Sequence, residues 1–329
     1  MTANPAPRPE VTSFDVARVA GVSRATVSHI LNGRGRRFSS ETQERVRRAA
    51  EELQYRPSPA GRALVRGRSD LVVAVVPNTT FGTNLQDTID WLAAEFAPAG
   101  LQVVVRLAGP DPSATLGALQ ALRPAAVLDL GTLPQSDRDV LLKSGVVMLD
   151  SAPDLNVEVG RLLTEGALRR GPRPLVYAAL LDTRSDVFGP GRFAGMAAEA
   201  DSRGLSAPTQ VNVPLDLAGA TAALRPLLHT GVPVAVGCYN DEVAIAVLAA
   251  ARELELDVPT DLTIVGVDHT PIGQLVSPRL TTIHVETAHM VSKAARTIQK
   301  ALGLSTARTT TPPTIADGPV LRLVPGDTT

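Results

Sequence analysis

The chain has 329 residues, 44% of them hydrophobic and 20% charged, enough for two or three packed domains. No stretch reaches the ~20 apolar residues of a membrane span, and residues 1–10 are Pro-rich without the apolar core of an export signal. A single cysteine, Cys238, excludes an intramolecular disulfide and a multi-cysteine metal site, so a cytoplasmic location is expected.

The net charge of −1 divides unevenly. Residues 1–68 carry 13 Arg against 6 Asp or Glu, a net +7, and the remainder is net −8. A basic head on an acidic body is the footprint of a nucleic-acid-binding segment joined to a soluble partner domain, although many basic segments are only solvated tails.

The head reads as helices. Thr12 caps a helix running to Ala20, with Phe14, Ala17 and Val19 or Ala20 near one face and Asp15 suiting the dipole of the first turn. Gly21 breaks it, and Ser23 caps a second helix from Arg24 to Leu31. Its inward stripe is Val27, Ile30 and Leu31, leaving Arg24, Ala25, Ser28 and His29 outward. Asn32-Gly33 stops that helix, and Arg34, Arg36 and Arg37 decorate the loop beyond. A third helix starts from Ser39 or Ser40 and continues to about Gln54, with Val46, Ala49, Ala50 and Leu53 at helical spacing. Two short helices joined by a Gly-containing turn are the helix-turn-helix arrangement, whose second helix enters a major groove. Any three-helix bundle would show similar spacing.

The string itself is more specific. Asp15-Val16-Ala17-x-x-Ala20-Gly21-Val22-Ser23-x-x-Thr26-Val27-Ser28-x-x-Leu31-Asn32 resembles the DNA-binding head of the lactose-repressor (LacI/GalR) family. The resemblance implies that Arg24, Ala25 and His29 occupy base-reading positions. It implies that Thr12, Ser23, Thr26, Ser28, Asn32, Ser39, Thr42 and Tyr55 fall where the family touches phosphates. Arg prefers the O6/N7 edge of guanine, Ala25 offers a methyl contact, and His29 stands where the family commonly has Arg.

Residues 56–68 connect head to body. Their Pro and Gly content reads as a flexible basic linker, yet Pro59 suits a first helical turn and Ala60 to Arg66 could make about two turns. Gly61 costs such a helix ~1 kcal/mol relative to Ala, so it should be ordered only when something holds it. The segment resembles the family's hinge helix, which implies that Leu64 is a minor-groove wedge.

From Leu71 short apolar runs alternate with helical stretches. Runs at 71–76, 101–105, 125–130 and 146–149 read as buried strands, followed by a second series near 175–180, 210–213, 233–238 and 262–267. Leu85, Ile89, Leu92 and Phe96 mark one intervening helix. This rhythm predicts two α/β lobes with doubly wound parallel sheets and a ligand cleft at the carboxyl ends of the strands. Asn240, Asp268 and Arg192 fall just after such strands and would line one cleft. Each also has a local role open to it: helix cap, turn residue or surface charge. Arg192-Phe193-x-Gly195, Asn240-Asp241 and Val265-Gly266-Val267-Asp268 with Pro278-x-Leu280-Thr281-Thr282-Ile283 resemble the family's effector domain, itself similar to periplasmic sugar-binding proteins. That resemblance implies an effector-binding role for Arg192, Asn240 and Asp268 and a returning last strand at Val320 to Val324. The positions where the family stacks ligands on aromatic rings hold Leu217 and Thr287, and only 10 aromatic residues exist in the chain.

The expected organisation is a helix-turn-helix domain at 1–57, a hinge at 58–68 and an effector-binding and dimerisation domain at 69–329. Its first lobe covers about 70–152 and 286–310, its second about 153–285 and 311–329. Trp91 could anchor a dimer interface or belong to the core. Enzyme chemistry is not expected. Gly189-Pro190-Gly191 lacks dinucleotide-loop spacing, the His284-Val285-Glu286 stretch and His289 are close together but lack a third ligand at metal spacing, and no cofactor is implied. The expected partners are double-stranded operator DNA, a second copy of the chain and a small-molecule effector, with no membrane.

Overall fold

The computed structural model describes residues 11–31, 35–55, 67–77, 83–109, 111–150, 154–182, 186–228, 231–304 and 320–329. Asn32, the hinge residues 56–66 with Leu64, and the segment 78–82 lie outside the described residues. The chain forms two compact units, one ending at Asp70 and one beginning at Leu71. Among the described residues no helix is long and apolar enough to cross a membrane.

The first unit contains α1 (Ser13–Ala20), α2 (Arg24–Leu31), a 3-10 turn (Gly35–Arg37) and α3 (Ser40–Glu52). The Thr12 amide and hydroxyl donate to the Asp15 carboxylate at 3.0 and 2.8 Å, holding its carboxyl below the usual range. Gly21 ends α1 at φ 64°, a left-handed position natural to glycine. Val16, Ala17, Ala20, Val27, Ile30, Val46, Ala49 and Ala50 form the core. Phe14 and Val19 are not part of it: they are 68% and 49% exposed. At 100° per residue the buried face is centred on Val16, Ala17 and Ala20, and these two fall beyond its margins on either side. The third helix also stops before Gln54, which sits at φ 51°.

The second unit carries two sheets. The first has the order β2-β1-β3-β4, from β1 (Leu71–Val76), β2 (Gln102–Leu107), β3 (Ala126–Asp129) and β4 (Val147–Asp150), all parallel. Its connecting helices are α4 (Thr83–Phe96), α5 (Pro112–Leu122) and α6 (Gln135–Lys143).

The second sheet runs β10-β9-β8-β7-β5-β6, with β5 (Leu175–Leu180), β6 (Thr209–Val213), β7 (Val234–Cys238), β8 (Leu262–Val267), β9 (Thr281–Val285) and β10 (Leu321–Val324). Only β10 is antiparallel, pairing with β9 as the returning last strand. Here α7 (Asp154–Ala167), α8 (Gly189–Ser202), α9 (Leu217–Leu228) and α10 (Asp241–Glu253) cover the faces. The continuous burial of β5, β7 and β8 matches strands covered on both sides. Finally α11 (Thr287–Ala301) leaves β9 and packs Val291, Ala295 and Ile298 beside Val72, Leu92 and Phe96 of the first sheet's core.

The strand β9 has no counterpart among the runs read from sequence. Thr281 and Thr282 are fully buried in it, and polar residues interrupt the apolar run that marks its neighbours.

Candidate DNA-reading face and effector site

In the first unit, α2 turns its Arg24, Ala25, Ser28 and His29 side away from the head core; Arg24 and Ala25 are exposed, Ser28 and His29 half-buried. The His29 ring lies 6.4 Å from that of Phe38, and the Arg37 guanidinium sits 5.0 Å over the same Phe38 ring. Arg18, Arg45 and Arg47 face Asp15, Glu41 and Glu44 at 3.3, 3.9 and 3.9 Å. Arg24, Arg36 and Arg37 form no ion pair with any described residue. Among the described residues, uncompensated positive charge therefore lies on α2, on the turn after it and, at Arg48, on α3.

Two hydroxyl pairs stand at helix N-termini. Ser23 Oγ accepts the Thr26 amide at 3.1 Å and lies 2.9 Å from its Oγ1, while Ser39 Oγ accepts the Thr42 amide at 3.2 Å and lies 2.9 Å from its Oγ1. Hydroxyls beside the free N–H groups of a helix start suit phosphate oxygens. Thr12 differs, because its hydroxyl donates to Asp15. Tyr55 is half-buried against the head core, its amide donating to the Ala50 carbonyl at 2.8 Å.

In the second unit, Arg192, Asn240 and Asp268 follow β5, β7 and β8, three neighbouring strands, at their carboxyl ends. The chain goes from β5 to β6 on one side and then to β7 on the other, so Arg192 and Asn240 flank the point where strand order reverses. Arg192, in the first turn of α8, is only 8% exposed. Its Nη1 donates to the Tyr239 carbonyl and its Nε to Asn156 Oδ1 at 3.3 Å. Its guanidinium lies 4.9 Å from the Tyr239 ring centroid and 5.6 Å from that of Phe188. Asn240 caps α10, its Oδ1 accepting the Val243 amide at 2.9 Å. Asp268 takes φ 103° and donates its amide to the Ile283 carbonyl at 2.8 Å.

Beside Asn240, the fully buried Asp241 accepts from Thr270 and Thr282. Burial pushes its carboxyl up to about 6, opposed by those hydrogen bonds and reinforced by the nearby Asp268 charge. Cys238 is buried in β7, and burial raises its thiol too. Among the described residues no His, Cys, Asp and Glu cluster could hold a metal.

Asn156 and Tyr239, which hold the Arg192 guanidinium, were not among the expected site residues. Nor was Asp129, which ends β3 and is fully buried, accepting the Thr132 amide at 2.8 Å and pairing with Arg138 at 3.3 Å. An acidic residue closing an apolar run was the signal for Asp129; nothing local marks Asn156.

A helix-turn-helix head joined to two parallel-sheet lobes, with polar residues gathered at the carboxyl ends of the second sheet, defines a DNA-binding regulator with a periplasmic-binding-protein-like body. Residues 14–58 match the bacterial regulatory proteins of the lacI family, and residues 166–329 match periplasmic binding protein-like domains. The chain is 29% identical to the ribose operon repressor of Escherichia coli (strain K12), covering 83% of this chain and 87% of that one. It is 24% identical to the HTH-type transcriptional regulator DegA of Bacillus subtilis (strain 168), covering 88% and 90%. Its fold is that of the lac repressor dimer bound to operator and the anti-inducer ONPF, with a TM-score of 0.73 at 22% identity over 97% of this chain and 99% of the other. The chain belongs to the lacI family: it is a helix-turn-helix DNA-binding transcriptional repressor with an effector-binding domain. Its relatives are transcriptional regulators, not enzymes.

Proposed function

We propose that the protein represses transcription as a homodimer on a pseudo-palindromic operator and is switched by a small-molecule effector. In this reading each head offers Arg24, Ala25 and His29 to a major groove. Thr12, Ser23, Thr26, Ser28, Asn32, Ser39, Thr42 and Tyr55 touch phosphates, and paired Leu64 side chains wedge the centre of the site. The observation that carries it is the exposed Arg24 and Ala25 on α2, flanked by hydroxyl pairs at the starts of α2 and α3. An effector held by Arg192, Asn240 and Asp268 shifts DNA affinity by its differential binding to two arrangements of the lobes. The domain limits of 1–57, 58–68 and 69–329 serve the same division of labour.

A second reading has its own support. Arg192 and Asn240 already donate to or accept from protein groups, which favours a regulator of the same build that acts without a small molecule or through a protein partner. Fluorescence anisotropy on the protein's own upstream DNA, challenged with sugars, polyols and nucleosides, separates the two. Release or tightening by one compound supports the switched repressor. Tight, salt-sensitive binding indifferent to every compound supports the second reading.

A further inference from the structure

The turn from β8 to β9 bends as side chains rarely allow. Asp268 at φ 103° and His269 at φ 51° are two consecutive non-glycine residues with left-handed backbones, a conformation that persists only where its surroundings over-determine it. What surrounds it converges on one carboxylate. The Thr270 amide and hydroxyl donate to Asp241 Oδ2 at 2.7 and 2.9 Å, and the Thr282 hydroxyl donates to Oδ1 at 2.6 Å. Thr282 Oγ1 in turn accepts the His269 amide at 3.2 Å, and Thr270 Oγ1 accepts the Gly273 amide at 3.3 Å.

The backbone leaves room for this carboxylate. A Cβ on Gly266 would come within 2.1 Å of Asp241 Oδ1, and one on Gly273 within 3.1 Å of Oδ2. Asp241 forms no ion pair with a described residue, and its three donors are neutral. An uncompensated buried carboxylate opposes folding relative to an apolar side chain, so packing does not account for it. Holding the turn does.

We infer that Asp241 is the positioning residue of the effector site: through Thr270 and Thr282 it sets the backbone of Asp268 and His269, and so the direction in which the Asp268 side chain leaves the sheet. The bearing on effector binding rests on the proposed role of Asp268. The hold on the turn does not. Asn240 and Asp241 thus divide their work, the first capping α10 and the second fixing a turn nearly thirty residues further along the chain.

Amide hydrogen exchange on the full-length protein, without ligand, tests the hold. The amides to follow are those of His269, Thr270 and Gly273. Asp241→Asn and Thr270→Val should speed their exchange by at least about tenfold, the scale of losing a hydrogen bond to a charged group. Thr270→Ser keeps the hydroxyl and should stay within about threefold of wild type. Thr270 lies on a partly exposed turn, so its variants serve even if Asp241→Asn fails to fold. Unchanged exchange in Thr270→Val, or a Thr270→Ser turn as loose as Thr270→Val, overturns the hold whether or not Asp268 meets an effector. For any compound from the sugar, polyol and nucleoside panel that shifts DNA binding, Thr270→Val should weaken its apparent affinity at least about tenfold and Thr270→Ser should restore it. An intact response from a loosened turn overturns the link to the effector site.

Discussion

Gly195 meets the backbone of Val157 so closely that a Cβ added to it would lie 2.0 Å from the Val157 carbonyl oxygen. The contact is reciprocated by Gly160, whose Cβ would lie 2.0 Å from the Arg192 carbonyl. Helices α7 and α8 therefore pack backbone to backbone, and this brings Asn156 within reach of the Arg192 guanidinium. A side chain larger than hydrogen at either glycine must separate the helices.

Gly195→Ala should accordingly destabilise the second unit by about 1–3 kcal/mol, the usual cost of overpacking, despite the ~1 kcal/mol that alanine gains as a helix former. A urea midpoint at or above wild type would show that the two helices part without cost.

Tyr177 makes an opposite case. Its ring is buried in β5 against Phe193, and its hydroxyl finds no hydrogen-bond partner among the described residues. Burial raises its hydroxyl's ionisation well above the ordinary range. Tyr177→Phe removes a desolvated, unsatisfied group while keeping the ring, so stability should stay level or rise by about 1 kcal/mol. A loss of more than ~1 kcal/mol on thermal unfolding would mean that an ordered water satisfies the phenol.

How far the chain could be read in advance follows from what each feature depends on. Both ends of α1 and the start of α3 follow local chemistry, with Thr12, Gly21 and Ser39 acting within four residues of themselves, and such marks survive in one dimension. Phe14 and Val19 show the limit of a short helix: over eight residues several faces look apolar, and only packing against α2 and α3 selects one. The strand β9 was hidden because Thr281 and Thr282 are buried through hydrogen bonds rather than by apolar character. For the proposed effector site, the placement of Arg192, Asn240 and Asp268 after strand ends was legible from the α/β rhythm. The groups that engage them were not, since Asn156 lies 36 positions before Arg192 and Thr270 lies 29 after Asp241.

The buried Asp241 gives stability a definite dependence on pH. Its carboxyl keeps its proton up to about 6 in the folded protein, against an ordinary value of 3.8. The folded state thus binds the proton more tightly than the unfolded chain. Its stabilising contribution is complete below the unfolded value and is lost as pH rises through about 6, by roughly 3 kcal/mol in all. His269, whose ionisation is lowered mainly by burial, works in the opposite sense: its contribution is present above its unfolded value and is lost as pH falls. The difference in unfolding free energy between wild type and Asp241→Asn cancels His269 to first order. That difference should move against wild type as pH goes from 4 to 7. A flat difference would mean that Asp241 titrates alike in both states.

The DNA-reading role proposed for α2 separates cleanly from simple charge attraction. Arg24 is exposed and free of ion pairs among the described residues, so a side chain at this position can reach a guanine edge without breaking an internal contact. Truncation to Ala should cost about 1–3 kcal/mol on the specific operator and relax the base preference at one step of each half-site. Removing a hydroxyl proposed to touch phosphate, as in Thr42→Ala, should instead weaken specific and non-specific duplexes alike. Wild-type affinity itself should fall steeply with rising salt, because each neutralised phosphate releases counterions. Anisotropy titrations of the two variants on both duplexes, at two salt concentrations, check all three expectations. Equal losses for Arg24→Ala on specific and random DNA would remove Arg24 from the base-reading set and leave it a phosphate contact.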